Sequence, residues 1–180
     1  MMKQITQIAT IGCAIILLAA CSSSNDLGSK VKDPFSSSKY DSDKRHFRAV
    51  GQGASKDENI AKNKADLQAK KELAQQVQTR LKIVTDQYLS ETQVDEASSI
   101  NDKFESLTRE VTNTQIADLR KIGEEKYFNG EKYTVFIVYE IQKKQMLRFM
   151  KKKAKTEAEI TKKQLKAIEG IIDQELLDLN

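Results

Sequence analysis

Asn129-Gly130-Glu131-Lys132 runs into Tyr133-Thr134-Val135-Phe136-Ile137-Val138-Tyr139-Glu140-Ile141, and this stretch decides the fold. Apolar or β-branched side chains fall on both faces of an extended chain there. That pattern predicts a central strand covered on both sides, with Val135, Phe136, Ile137 and Val138 buried. Asn-Gly is the preferred pair for a two-residue type I′ turn, because both central positions need φ > 0. It therefore predicts a hairpin with the preceding segment, Ile116 to Phe128, a weaker strand interrupted by Gly123.

Upstream of the hairpin, Ile100, Phe104, Leu107 and Val111 recur at helical spacing and predict a helix over about Asp95 to Thr112. Before it, Ala61, Ala65, Ala69, Leu73, Val77, Leu81, Val84 and Tyr88 form one ridge, mostly at i+4, in a long helix ending near Ser90. The alanines at its start allow its axis to lie close to a sheet. Ser55-Lys56-Asp57-Glu58 has the form of a capping box for that helix. Arg45 to Gly51 alternates weakly and predicts a first strand, ended by Gly51-Gln52-Gly53-Ala54. The expected class is α+β: a small, mostly antiparallel three-stranded sheet in β-α-α-β-β-α order with helices packed on it.

Downstream, residues 142–180 hold no proline and no glycine before Gly170, which predicts an amphipathic C-terminal segment, one long helix or two abutting ones. At 100° per residue, Met146, Met150, Ala154, Leu165, Ile168 and Ile172 lie on one side. Lys144, Arg148, Lys151, Lys152, Lys155, Lys162, Lys163 and Lys166 form a stripe roughly 120° wide on the other, continued with opposite sign by Glu169 and Asp173. Basic residues near a helix start oppose the macrodipole, so helix electrostatics do not explain them. The stripe is read as a solvated face, as contact with an anionic surface, or as antiparallel pairing of two such helices.

The N-terminus carries an address. Lys3 precedes an apolar run from Ile8, closed by Leu18-Ala19-Ala20-Cys21. Ile8 to Ala20 is too short for a spanning helix, which needs about 20 residues, and fits the apolar region of a secretory signal over residues 1–20. Leu-Ala-Ala-Cys is similar to the bacterial lipobox, which implies lipidation of Cys21. The small residues would enter the signal protease, and the thiol would carry a diacylglycerol. Cys13 would leave with the signal, so neither of the two cysteines remains for a disulfide, a thiol nucleophile or a metal. Residues 21–44 are rich in serine, hold the only proline and show no apolar period, as a tether does. Residues 45–180 are then one domain, an ordinary size for a single core.

The chain of 180 residues has 30 basic against 26 acidic side chains, one histidine and no tryptophan. Gly51-x-Gly53 before a helix start is a weak phosphate signal: it lacks the third glycine of a dinucleotide fingerprint, and Asp57 and Glu58 oppose an anion. His46 has no partner set for acid–base work or metal binding and is expected at the surface or a strand edge. No catalytic residue, cofactor or metal is expected.

The lipobox, the Ser-rich tether, Phe47-Arg48-Ala49-Val50-Gly51-Gln52-Gly53-Ala54 and the step Ala61, Ala65, Ala69 together resemble the small Gram-negative outer-membrane lipoproteins typified by the twenty-kilodalton Helicobacter lipoprotein. The N-terminal domain of the flagellar T protein is similar over the same stretch. The resemblance covers about Arg45 to Ile141 and implies a compact β-α-β domain without known catalytic residues. The function expected is that of an envelope lipoprotein in the bacterial outer membrane, facing the periplasm, with a structural or protein-interaction role that includes self-association. The alternative is a binding module for an anionic envelope ligand such as a lipid headgroup, lipopolysaccharide or cell-wall polymer. Nucleic acid is not an expected partner.

Overall fold

In the computed structural model the described residues are 31–116 and 119–179, and Asp33 to Asn180 forms one compact unit. Three strands, β1 (His46–Ser55), β2 (Arg120–Phe128) and β3 (Tyr133–Gln142), make one antiparallel sheet in the order β1-β3-β2. Among the described residues four α-helices, α1 (Glu58–Thr92), α2 (Ala97–Ile116), α3 (Lys143–Thr156) and α4 (Lys162–Asp178), and a 3-10 turn at Ser38–Tyr40 accompany the sheet. The α+β class and the central place of β3 are as the sequence predicts.

Helix α1 is the spine of the molecule. Its ridge from Ala61 to Val84 is buried throughout, with Tyr88 half-buried at its end. The first half lies on the sheet, where Ala61 and Ala65 join Val135 and Ile137 in a small core. The second half, from Leu73, meets α2, α3 and α4 in a larger core that includes Phe104, Met146, Met150, Ile168 and Ile172.

The Gly-x-Gly pair does not end β1, which continues through it to Ser55. A Cβ on Gly51 would fall 2.0 Å from the carbonyl oxygen of Ala65, and one on Gly53 2.0 Å from that of Ala61. The glycines are there because a helix backbone occupies the space of their side chains. With the strand prolonged, Ser55 is too early to cap the helix. Asp57 does so instead, its Oδ1 accepting from the Ile60 amide at 3.0 Å, while Glu58 is held by Lys126 of β2.

The other face of the sheet is only partly covered. Phe136 is half-buried there, against the sequence expectation, and its aromatic neighbour Tyr127 is itself exposed. Val135, Ile137 and Val138 are buried as expected. Val138 pairs with Gly123, and a Cβ on Gly123 would stand 2.7 Å from the ring of Phe35. Phe35 packs edge-on against Tyr40, with ring centroids 4.8 Å apart. Residues 33–44 are therefore part of the domain rather than tether. The free edge of β1 is blunted by side chains: Ser42 accepts from the Arg48 amide, Gln68 accepts from the Gln52 amide, and Lys64 donates to the Ala54 carbonyl.

The hairpin turn differs in type from the expected one. Positive φ occurs at Gly130 (+89°) and not at Asn129, so the Asn-Gly pair does not take the type I′ geometry. Asn129 Oδ1 closes the turn by accepting from the Lys132 amide at 2.9 Å. At the C-terminus the structure has two helices, with a break over residues 157–161. Thr161 and Gln164 form a reciprocal capping box that starts α4. Ion pairs from Lys151 to Asp173 (2.8 Å) and Lys155 to Glu169 (3.1 Å) hold α4 antiparallel against α3.

Candidate functional surfaces

Cys21, the expected lipidation site, lies outside the described residues. The eight stripe residues all lie within them, divided between two helices: Lys144, Arg148, Lys151, Lys152 and Lys155 on α3, and Lys162, Lys163 and Lys166 on α4. The structure does not keep them as one continuous ladder. Lys151 and Lys155 face the acidic residues of α4, and Lys163 reaches Asp95 and Glu96 at 3.6 and 3.5 Å. The pairing of basic against acidic half thus occurs within one chain, and Ile168, Ile171 and Ile172 turn into its own core. Arg148, Lys152, Lys162 and Lys166 remain exposed without an ion pair among the described residues. Phe149, beside Arg148, is 37% exposed.

His46 opens the edge strand β1, as expected for a strand-edge residue. It belongs to a charged knot that includes residues first read as tether. Asp43 accepts from the amides of Arg45 and His46, each at 2.7 Å, and pairs with the Arg48 guanidinium. Burial works to raise the Asp43 carboxyl, but the hydrogen bonds from Arg48, Arg45 and His46 outweigh it and hold it well below the usual carboxylate range. Arg48 also reaches Glu140, directly opposite on β3, at 3.1 Å, and Arg120 of β2 reaches the other Glu140 oxygen at 3.2 Å. The knot ties the N-terminal segment to all three strands. Among the described residues no group of three or more His, Cys, Asp and Glu is placed to hold a metal ion.

The Gly51-x-Gly53 stretch offers no anion cradle, since the sheet and helix close over it and Asp57 takes the Ile60 amide at the helix start. No protein-family model, curated protein or solved structure matches the chain. Among the described residues no helix is long and apolar enough to cross a membrane.

One feature escapes a reading by periodicity. Between α1 and α2 lies a groove of about 240 Å³, lined by Gln78, Thr79, Lys82 and Thr85 from one helix and Asn101, Phe104, Glu105, Thr108 and Arg109 from the other. Thr85 and Thr108 are buried polar residues that a hydrophobic count passes over. Their interruption of the apolar stripe of each helix is the signal that the sequence carries.

Proposed function

We propose that this chain is a lipid-anchored lipoprotein of the bacterial outer membrane, on its periplasmic side, with a structural or protein-interaction role and no catalysis. The observation that carries the reading is Leu18-Ala19-Ala20-Cys21 at the end of an apolar run too short to span. Lipid chains add ~0.8 kcal/mol per buried CH₂, so two or three of them anchor a protein without a spanning helix. Ser22 after the cysteine favours outer-membrane sorting in the enterobacterial scheme. The resemblance of Phe47 to Ala54, with its alanine-stepped helix, to small outer-membrane lipoproteins supports the same reading. Mass spectrometry of the mature N-terminus tests it: a diacylglyceryl group on Cys21 is expected, and an unmodified Cys21 overturns it. Cys21→Ser should release the protein from membranes. Pull-down from solubilised envelopes then separates self-association from binding to another envelope protein, and a substitution-sensitive turnover in an activity panel would sink the non-catalytic part.

A second reading, a module for an anionic envelope ligand, is favoured by the exposed cations Arg148, Lys152, Lys162 and Lys166. Such contacts weaken as salt screens them. Arg148→Gln with Lys152→Gln leaves the ion pairs of Lys151 and Lys155 intact. Loss of salt-sensitive retention on anionic vesicles in that variant supports this reading, and retention equal to wild type removes it.

A further inference from the structure

We propose that the free edge of β2 is a self-pairing surface, which joins two copies of this chain in one six-stranded antiparallel sheet. The proposal rests on the protein-interaction role put forward above and names its surface and its partner. Strand β2 ends the sheet, with β3 on one side only. Side chains occupy the backbone groups along the free edge of β1, but among the described residues none hydrogen-bonds to the backbone of β2. A bare edge of this kind is a template for another strand.

Charge order selects the strand that fits. Arg120-Lys121-Ile122-Gly123-Glu124-Glu125 runs from two cations through two uncharged residues to two carboxylates, an order complementary to its own reverse. In an antiparallel pair centred between Ile122 and Gly123, Arg120 lies opposite Glu125 of the second copy and Lys121 opposite Glu124 of the second copy. The two-fold axis repeats both, so four cross-strand pairs of opposite charge form and no like charges meet. Each exposed pair contributes little alone, but together they fix one register and one partner. The sheet faces agree with that register. Arg120 and Glu125 stand opposite Glu140 and Phe136 of β3 on the open face, and Lys121 and Glu124 stand opposite Tyr139 and Ile137 on the face toward α1. Directly opposed residues must share a face, and in a regular strand Arg120 and Glu125 would not. The bulge between Lys121 and Gly123 supplies the extra residue that brings them to the same face, and it lies on the axis, where it meets its own copy. A register centred on Glu125 also matches faces but sets that carboxylate against itself. Glu125 has no ion pair among the described residues, and the Arg120 side chain, although it reaches Glu140, is 80% exposed.

Sedimentation of the purified full chain up to about 1 mM, the range of small weak interfaces, tests the pairing. A monomer–dimer equilibrium weakened by salt is expected. Arg120→Glu with Lys121→Glu makes the edge acidic throughout, and Glu124→Lys with Glu125→Lys makes it basic throughout. Each variant alone should dimerise at least about tenfold more weakly, because every cross-strand pair becomes like-charged. An equimolar mixture of the two should regain the wild-type dimer, since every pair is again of opposite charge. Register is tested in a Cys13→Ser, Cys21→Ser chain: Arg120→Cys mixed with Glu125→Cys should cross-link under oxidation, and neither should do so alone. Both sites are exposed, so this arm stands where a charge variant does not fold. A wild-type chain that stays monomeric overturns the proposal, even where another envelope protein is pulled down and the interaction role survives. Charge variants that dimerise as wild type does also overturn it, by placing self-association elsewhere. So does a mixture that stays monomeric, or the lack of a cross-link between the two cysteine chains.

Discussion

Tyr139, on the inner face of β3, donates its phenolic hydrogen to Asp66 of α1 at 2.6 Å. Burial would raise the Asp66 carboxyl, but hydrogen bonds from Lys70 and Tyr139 outweigh it and hold it below its ordinary value. Burial and the bond to Asp66 push Tyr139 up to about 12. The two shifts act at opposite ends of the pH scale. Asp66 contributes stability above its unfolded value of about 3.9, and loses it as pH falls through the lowered folded value. Tyr139 contributes below about 10, and loses it as pH rises toward 12. Stability attributable to this pair should therefore be flat between about pH 5 and 9 and fall on either side. Tyr139→Phe should shrink both limbs in urea titrations run across pH, and an unchanged alkaline limb would count against the assignment.

The close approach of β1 and α1 makes a sharp prediction about methyl groups. Gly51→Ala and Gly53→Ala should each cost about 3 kcal/mol or more, because the obstructing atoms are helix backbone that cannot rotate away. Gly130→Ala meets nothing within 4 Å and should cost about 1–2 kcal/mol from its positive φ alone. Equal midpoint shifts for Gly51→Ala and Gly130→Ala would contradict the packing account.

Within β3 the order of costs follows the face. Ile137→Ala should cost about 2–5 kcal/mol, as for an enclosed aliphatic side chain. Phe136→Ala should cost less than ~2 kcal/mol, although phenylalanine is larger, because its ring is half-buried on the open face. Chemical denaturation of the two variants decides the order. A larger loss for Phe136→Ala would mean that something covers that face in solution.

Reversing charge on the C-terminal hairpin should be felt by the fold before any partner. Lys151→Glu with Lys155→Glu places carboxylates against Glu169 and Asp173. These pairs are partly exposed, so a loss of about 1–2 kcal/mol is expected, smaller at high salt. A melting midpoint equal to wild type at low ionic strength would show that the pairs contribute nothing.

The hairpin, the ridge from Ala61 to Val84 and the central strand were legible because each is a local period with one interpretation. Gly51 and Gly53 were misread because their reason lies in α1, whose nearness to β1 no local rule registers. Asp57 displaced Ser55 as the cap for the same reason, since the longer strand moved the helix start. The break before α4 is written in Thr161-x-x-Gln164, but the apolar rows on either side stay in phase across it and leave one helix or two open. Phe35 lay in a serine-rich stretch with no period, and only the bare backbone of Gly123 gives it a seat. The α1–α2 groove depends on which faces two helices turn toward each other, a relation set by the rest of the core.

The strand order carries a consequence for how the molecule is made. The β2–β3 hairpin closes within its own turn, an event on the order of microseconds. Arg48 and Glu140, cross-strand partners in β1 and β3, are 92 residues apart in the chain. Closing so long a loop is entropically slow, and topologies dominated by distant pairings fold slowly. Until β1 arrives, β3 has one ladder of amides and carbonyls unpaired, and it is the most apolar of the three described strands. A bare apolar edge is a template for pairing with another chain. The speed at which the first strand reaches the last therefore sets how long each newly made molecule is open to aggregation.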